Sequence, residues 1–548
     1  MPVVSAGGAG ATRSVVKGGA AGLVGAAVAA GSQFLIVVAV TRGFDARTAG
    51  CFFTATTVCL MAAGVLRLDC GNGLIYFIAG AHTATPAQEP TPAGRATLRV
   101  STSATPAMPA APRGYLRAAL LPVVILSFAV AALVVAYADA LATALTHTAT
   151  SLPHSATSLT PATTSLTPAV TGPPPTVAGL TPATTSPSPV TTGPAHVVLG
   201  TTAAPSPGAD PAVVLLGAAL RGLGLALPVI VLADILVSAT RGFGVMRPTA
   251  LLSGVLQPGA QLLLVGAVVL AGASGVGEGT RTPGSASGTG WLLAAAWAAP
   301  ALPVLALSAF WLRRRMPTGP YVPRAARAFW RYTGPRAVGG AAQAVFQRLD
   351  VVVVAVLAGP AQAALYTAAT RFKVVGQLVN QGFAQAAQPR LVRAMAEGDL
   401  PLARRLYQMT TMWLVLLTWP VWLGYAVLAP WLLRAFGDGY PDGAAVAVVL
   451  AATMMLATAC GMADVMLIAA GHTAASTANI LSAIAVTVAL DVALVPSHGA
   501  LGAALGWSGG MFAKNLMPLV KIARLYGLRP FGAHSLPSLR LWRAEEAT

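Results

Sequence analysis

Long apolar runs recur from one end of this chain to the other, and they constrain its fold more than any other feature. Many reach about 20 residues, which is the length of helix that crosses roughly 30 Å of hydrocarbon at 1.5 Å per residue. Only 9% of the 548 residues are charged, against about 25% in soluble proteins. The sequence therefore predicts an all-α polytopic membrane protein.

We predict about twelve transmembrane helices in two pseudo-symmetric six-helix lobes. The predicted spans are 15–40, 50–79, 115–138, 212–238, 249–273, 291–312, 337–357, 363–388, 409–433, 444–470, 474–495 and 499–520. Similar segments recur in both halves: VVAVTRGFDARTAG joins the first two spans, and VVAVLAGPAQAALY joins the seventh and eighth. Because each lobe has an even number of spans, both keep the same orientation, which predicts a pseudo-two-fold axis along the membrane normal.

The segments outside the spans define the predicted domain boundaries. The N-terminal lobe covers 1–312 and includes a Thr-, Pro- and Ser-rich insert, 139–211, which is predicted to be disordered and extracytoplasmic. A basic cytoplasmic connector, 313–336, precedes the C-terminal lobe, 337–520, and a basic cytoplasmic tail, 521–548, ends the chain.

The net charge of +18 is distributed unevenly along the chain. Most Lys and Arg residues outside the spans fall on the side of the two termini, so the positive-inside bias predicts that both termini are cytoplasmic. A basic interior for an anionic substrate would account for the remaining cations, and we expect no binding to nucleic acid. The Ala-, Gly- and Arg-rich composition favours a bacterial source, and hence the bacterial plasma membrane.

Sequence motifs for chemistry on a bound substrate are absent. The four cysteines form no CxxC pair, the seven histidines form no HExxH motif, and neither a GxSxG motif nor a P-loop occurs. We therefore predict a protein that is not an enzyme and has neither a metal site nor a cofactor.

Charged side chains inside apolar spans are costly, and they usually mark a functional path. On a helical wheel of the eighth span, Lys373 shares one polar stripe with Gln377 and Gln381, whereas Arg371 lies about 120° away. We predict that the stripe lines a cavity, with a helix–helix contact as the alternative. Arg371 is expected to pair with Asp350 of the seventh span and to stabilise the lobe.

The other embedded charges complete the predicted site. Three more cations are candidates for binding an anionic headgroup: Arg67, Arg348 and Lys514. Four charged residues are predicted either to couple transport to a cation or proton or to form structural ion pairs: Asp69, Asp234, Asp350 and Arg371. Arg67 and Asp69 are expected to occupy the region of the first half that corresponds to Arg348 and Asp350.

Several motifs in the second half resemble those of a known family. RLDVVVVAVLAGPAQAALYTAATR, QPRLVRAMAEGDLPLARRLY and LVPSHGALGAALGW are similar to segments of the polysaccharide and oligosaccharide-lipid flippases of the MOP exporter superfamily, which include O-antigen flippases and are related to lipid II flippases. Two features depart from the family pattern: the 139–211 insert, and Asp491 where members often carry Asn.

The resemblance implies a two-lobed transporter that alternates between inward-open and outward-open forms. It would flip a polyprenyl-(pyro)phosphate-linked glycan across the bacterial plasma membrane for cell-surface polysaccharide biosynthesis. The implied partners are the lipid-linked glycan, membrane lipids, a coupling cation or proton, and polysaccharide polymerases or glycosyltransferases. Two alternatives stay open: a cation-coupled multidrug antiporter of the same superfamily, and a non-transporting scaffold of a glycan-assembly complex. A membrane glycosyltransferase is disfavoured, because such enzymes generally need acidic residues in the first outer loop and this loop has Asp45 alone.

Overall fold

The computed structural model describes residues 7–83, 112–147, 210–272, 283–316, 323–373, 387, 390–395, 397–532 and 535. The secondary structure of this part of the chain is helical, which confirms the predicted fold class. The helices before the connector are α1 (Gly7–Gly43), α2 (Ala46–Leu66), α3 (Cys70–Thr83), α4 (Pro112–Ala136), α5 (Ala138–His147), α6 (Pro211–Arg241), α7 (Arg247–Thr249), a π-helical turn (Ala250–Leu256), α8 (Gln257–Ala271), α9 (Pro283–Ala298) and α10 (Ala301–Arg315).

Seven further α-helices, with both ends in the described part of the chain, follow the first residues of the connector. They are α11 (Pro323–Phe346), α12 (Leu349–Ala358), α13 (Pro360–Thr370), α14 (Leu400–Leu433), α15 (Ala444–Ala459), α16 (Ala463–Ala469) and α17 (Thr473–Tyr526), with single 3-10 turns at Arg434–Phe436 and Pro441–Gly443. We call α1–α10 the N-terminal helices and α11–α17 the C-terminal helices.

The described helices are long enough to make this a multi-pass membrane protein. Nine are long and apolar enough to cross a membrane, or ten if α11 and α12, bent by 45° at their junction, form one span. One of the nine, α17, has 54 residues and a break at Gly499 (φ 55°, ψ −130°), where we predict two separate spans. The predicted eighth span, 363–388, is described mainly over α13. The predicted total of twelve is therefore not confirmed.

One boundary of the predicted insert is wrong. Residues 139–147 form most of α5, because this stretch is rich in Ala, the best helix former, and contains no proline. Asp139 in the first turn of α5 also pairs with Arg221 of α6, which fixes the helix against the bundle. The rest of the predicted insert, up to residue 209, lies outside the described residues.

Helix α2 packs directly against the C-terminal helices, and three glycines on α2 and α3 allow the close approach. A Cβ placed at Gly50 would lie 1.7 Å from the Pro360 carbonyl oxygen, and one at Gly64 would lie 2.6 Å from the Ala344 Cβ. At Gly73 it would lie 2.4 Å from the Thr333 hydroxyl. Small residues at such contacts let membrane helices gain dispersion energy, which is the main attraction between helices in lipid.

The two sets of helices also touch at both ends of the bundle. At the end that holds the connector, which we call the connector face, Tyr76 of α3 stacks on Tyr332 of α11 with ring centroids 4.5 Å apart. At the opposite end, Phe34 of α1 makes edge contacts with Phe372 and Phe436, both with centroids 5.4 Å apart. The central part of the interface is thus flanked by aromatic contacts on each side.

The contact at Gly50 gives the first prediction. Gly50→Ala should destabilise the protein by about 1–3 kcal/mol, because the added methyl group collides with backbone atoms of Pro360 that cannot rotate away. Gly31→Ala on α1 is the matched control, since nothing lies within 4 Å of its added Cβ, and alanine is the better helix former by about 1 kcal/mol. Thermal unfolding of the purified variants in detergent should show opposite shifts in Tm. A Gly50→Ala variant as stable as wild type would contradict the packing described.

Candidate functional site

A polar cavity of about 350 Å³ lies between the N-terminal and C-terminal helices. Its walls come from α1, α2, α6, the π-helical turn, α8 and α9, and the C-terminal side contributes two arginines. The polar side chains on the wall include Gln33, Thr56, Asp234, Gln257, Arg348 and Arg371. Three of the charged residues predicted from the sequence, Asp234, Arg348 and Arg371, thus line the same cavity.

Asp234 is the carboxylate at the centre of this charge cluster. Its Oδ2 lies 3.4 Å from Nη1 of Arg67, and Arg241 and Arg348 are also within electrostatic range. The Arg67 and Asp234 side chains are 48% and 32% exposed, so their ion pair is only partly desolvated and contributes at most about 1 kcal/mol to stability. Asp234 therefore balances part of the local positive charge and leaves the cavity cationic.

Arg348 and Arg371 bring the positive charge of the C-terminal helices into the cavity. Arg348 immediately precedes α12, at the bent junction with α11, and Arg371 is the residue that ends α13. The two guanidinium groups are close enough to repel each other. The Arg371 Nε is buried, and it has no hydrogen-bond partner among the described residues. A buried donor without a partner is costly, so an anion that accepted its hydrogen bond would be stabilised.

Lys373 points away from this cluster and into the C-terminal helices. Its Nζ lies 3.7 Å from Asp350 Oδ2 and 3.9 Å from the centroid of the Trp507 ring, and only 11% of the side chain is exposed. Asp350 also accepts a hydrogen bond of 2.8 Å from the Tyr366 hydroxyl. The ammonium group thus has an ion-pair partner and a cation–π contact inside the protein.

The predicted pairing of Arg371 with Asp350 is wrong. Asp350 pairs with Lys373 rather than with Arg371, and Arg371 is the cation that lines the cavity. The helical wheel places Arg371 and Lys373 on different sides of the segment, because residues two apart on a helix are separated by about 200°. The side of the segment that holds Arg371 lines the cavity, and Lys373 makes the helix–helix contact that is the alternative prediction for the polar stripe. Gln377 and Gln381 lie outside the described residues, so their role stays a prediction.

The other predicted site residues lie in two further places. Lys514 Nζ donates to Gln343 Oε1 at 3.2 Å and lies 5.2 Å from the Phe346 ring centroid, within the C-terminal helices. Asp69 accepts a hydrogen bond of 2.9 Å from Arg336 Nε, which joins α11 to the residue just before α3. Asp69 is therefore a contact between the two sets of helices.

The sequence predicts that the two Arg-Leu-Asp triplets occupy corresponding positions in two repeats. The structure shows that they do not. Residues 67–69 separate α2 from α3, whereas residues 348–350 lie where α12 begins after α11. Because α2 packs against α11, the two triplets face each other across the interface. Arg67 and Arg348 consequently lie within electrostatic range of the same carboxylate, Asp234.

Sequence reasoning missed a set of buried and partly buried amides on the cavity wall. Gln33 Nε2 donates to Gln261 Oε1 at 3.1 Å, and Gln261 Nε2 donates to the Trp297 carbonyl at 2.9 Å. Gln257 lies one turn before Gln261 on α8 and also lines the cavity. Two glutamines four residues apart inside an apolar span were the available signal, since such amides need a polar neighbour in a membrane.

A second cavity is larger but has the character of an apolar groove. It has a volume of about 1070 Å³ and lies at the ends of α1, α6, α8 and α9 away from the connector face. Its wall is mainly Ala, Leu and Val, and Arg47 at its rim pairs with Asp210. The smaller central cavity, with its excess of arginines, is therefore the candidate functional site.

Among the described residues, no group of three or more His, Cys, Asp or Glu side chains is placed so that it could hold a metal ion. The expectation that the protein has no metal or cofactor stays a prediction.

Comparison with known proteins identifies the fold. No family model and no curated protein sequence matches this chain. Among solved structures, an inward-facing multidrug resistance MATE family transporter of the MOP superfamily is 14% identical and has a TM-score of 0.59, covering 90% of this chain and 94% of its own.

Two further solved structures cover 94% of this chain and 96% of their own. A MOP superfamily transporter from Pyrococcus furiosus is 14% identical with a TM-score of 0.53, and its binding pocket is described as having a reverse polarity that suggests a different function. An outward-facing multidrug resistance MATE family transporter is 15% identical with a TM-score of 0.52. The chain thus has the fold of MOP superfamily transporters.

The Lys373–Asp350 contact gives the second prediction. Lys373→Met should lower the free energy of unfolding by about 3–5 kcal/mol, because it leaves the buried Asp350 carboxylate without its cation. Adding Asp350→Asn should recover part of this loss, because both members of the pair are then neutral. The comparison is made by thermal unfolding in detergent, with Lys514→Met as control because Lys514 bonds a neutral amide. Additive losses in the double variant would show that the two side chains do not interact.

Proposed function

We propose that this protein is an alternating-access membrane transporter for an amphipathic anion, and that its substrate is a polyprenyl-(pyro)phosphate-linked glycan. The observation that carries the proposal is the charge of the central cavity. Four arginines, Arg67, Arg241, Arg348 and Arg371, lie in or beside a cavity in which Asp234 is the carboxylate on the wall.

Moving a phosphate group through a bilayer has a high cost in free energy. A charged phosphate or pyrophosphate cannot enter hydrocarbon unless its hydration shell is replaced. Guanidinium groups replace that shell well, because each offers several N–H donors in a planar fork that matches phosphate oxygens. Arg371, whose Nε has no partner among the described residues, and Arg348 beside it are the residues we assign to this task.

The size of the cavity supports binding of a headgroup rather than of a whole lipid. Its volume of about 350 Å³ is near the lower end of ligand pockets, which span about 300–1,000 Å³. In this proposal the phosphate and the adjoining part of the sugar occupy the cavity while the prenyl chain remains in the bilayer. Glutamines on the wall, such as Gln33 and Gln257, would donate hydrogen bonds to the sugar hydroxyls and accept hydrogen bonds from them.

Export of cationic drugs is the second candidate, because MATE family transporters share this fold. A cationic drug would require a free carboxylate in the cavity, and Asp234 already lies against Arg67. Pocket polarity is also the property singled out for the Pyrococcus furiosus transporter as suggesting a different function. The excess of arginine in the cavity of this chain therefore favours an anion over a cation.

Orientation and location belong to the same proposal. Arg313, Arg314 and Arg315 end α10 at the connector face, and Arg314 and Arg315 lie over the rings of Phe310 and Trp311. From the positive-inside bias we propose that this face, and with it both termini, is cytoplasmic, and that the membrane is a bacterial plasma membrane. Substrate would then be collected there and released at the opposite face, next to the enzymes that assemble the surface polysaccharide.

The third prediction tests the substrate. In proteoliposomes that contain a fluorescent polyprenyl-pyrophosphate-linked oligosaccharide, the wild-type protein should move the lipid from one leaflet to the other. Arg371→Gln and Arg348→Gln should each slow this movement at least tenfold, since a charge-assisted hydrogen bond to phosphate contributes about 1.5–3 kcal/mol. Leaflet exchange is measured by accessibility of the fluorophore to a membrane-impermeant quencher.

Arg405→Gln is the matched control, because Arg405 is exposed on α14 and does not line the cavity. This variant should transport at the wild-type rate. Wild-type liposomes that fail to flip the lipid but accumulate a cationic dye would instead establish the multidrug alternative. Equal transport by all four proteins would rule out the cavity arginines as the headgroup site.

A further inference from the structure

The chain between α2 and α3 has an unusual backbone. Leu68 and Asp69 have φ values of 46° and 55°, in the left-handed region, and they are the positive-φ residues other than glycine in the described part of the chain. A side chain in this region clashes with its own backbone, so two consecutive residues there are strained and keep this conformation only if the surroundings hold them in place. Three contacts formed by this short break, residues 67–69, hold it.

The first contact leads into the central cavity. Arg67 extends from the end of α2 to Asp234 of α6, with Nη1 and Oδ2 separated by 3.4 Å. The second leads to the other set of helices. Asp69 accepts hydrogen bonds from Arg336 Nε at 2.9 Å and from Asn72 Nδ2 at 2.6 Å, so both of its carboxylate oxygens are used.

The third contact is the side chain between these two. Leu68 is half-buried and packs against the hydrophobic core. Beyond the break, α3 presents Tyr76 and Phe77 to Tyr332 and Phe329 of α11 at the connector face, with ring centroids 4.5–5.8 Å apart. The orientation of α3, and hence this aromatic contact, depends on the conformation of residues 67–69.

We propose that residues 67–69 form a coupling hinge, which links the ion pair of Arg67 with Asp234 in the central cavity to the contact between α3 and α11 at the connector face. Contact with both neighbours keeps Leu68 and Asp69 in the left-handed conformation. When Arg67 leaves Asp234, the strained residues relax toward ordinary backbone angles. This relaxation turns α3, pulls Asp69 from Arg336, and loosens the connector face.

The hinge would couple the central cavity energetically to the distant contact between α3 and α11. Coupling requires an element with two arrangements whose balance both sites can bias. The break has contacts to both sites within three residues, and its backbone strain favours the second arrangement once either contact is lost. The inference does not require a particular substrate, because it concerns only the ion pair, the break and the interface.

Hydrogen–deuterium exchange of the full-length protein in nanodiscs tests the proposal. Backbone amides exchange when a segment opens, so the rate reports how often α3 and α11 separate. Asp69→Asn should raise exchange in residues 70–83 and 323–346 about fivefold, as expected for the loss of one partly buried ion pair. Asp234→Asn should raise exchange in the same segments, because it removes the ion-pair partner of Arg67. This effect would act at a distance, since Asp234 itself lies on α6. Arg67→Gln should act in the same way and serves as the second variant if Asp234→Asn does not fold.

Leu68→Gly tests whether the backbone carries the coupling. Glycine adopts the left-handed conformation without strain, so the break should keep its shape when Arg67 is released. The double variant Leu68→Gly with Asp234→Asn should therefore exchange within twofold of Leu68→Gly alone. An increase as large as that of Asp234→Asn in the wild-type background would overturn the hinge.

Asp210→Asn is the matched control for removal of one charge. It weakens the pair with Arg47 at the opposite end of the bundle, and asparagine still caps α6. Its exchange in residues 70–83 and 323–346 should equal that of wild type. The proposal fails if Asp234→Asn and Arg67→Gln leave these segments unchanged, or if Asp210→Asn raises their exchange as much.

These outcomes are independent of the proposed substrate. Sodium pyrophosphate added to the wild-type protein would draw Arg67 and Arg348 from Asp234 and should raise exchange in the same segments. If the variants behave as expected but pyrophosphate has no effect, the hinge stands and the anionic substrate is in doubt. If pyrophosphate raises exchange and the Asp234 and Arg67 variants do not, the hinge fails while the anion site stands.

Discussion

The close approach of α2 to the C-terminal helices is the contact on which the rest of the site depends. In a bilayer no hydrophobic force draws one apolar helix to another, so association requires backbones that approach closely and pack without gaps. Gly50, Gly64 and Gly73 permit that approach at three levels along α2 and α3. The same approach brings Arg348 and Arg371 opposite Asp234, so the geometry of the cavity follows from packing between apolar surfaces.

The cavity concentrates positive charge between apolar helices, where an unpaired charge is costly. Each arginine occurs at or near the end of a helix or at a break in one: Arg67 follows α2, Arg241 ends α6, Arg348 precedes α12 and Arg371 follows α13. Such positions give long side chains the room to reach a shared polar space, which a residue in the middle of a packed helix lacks. The helix breaks are thus the means by which apolar spans supply a cationic site.

The C-terminal helices use a second group of charges in a different way. Asp350, Tyr366, Lys373 and Trp507 surround one another in a buried cluster in which the ion pair is balanced. A balanced and desolvated pair fixes the relative positions of α12, α13 and α17 but has no net charge with which to attract an anion. Its neighbour Arg371, only two residues before Lys373, faces the cavity instead. Residues two apart on a helical segment point about 200° apart, which accounts for this difference in direction.

The sequence by itself determined the fold class, the approximate positions of most membrane helices and the identity of the embedded charges. Apolar length and the high cost of charge in lipid leave few alternatives for such segments, which is why these properties are local and can be predicted. Only the tertiary structure decided which cation faces the cavity and which is buried in a pair, because that depends on which helices pack against each side of the segment, and these helices lie far apart in the chain. It likewise decided that the two Arg-Leu-Asp triplets face each other, since their shared carboxylate, Asp234, lies on a helix distant from both in sequence.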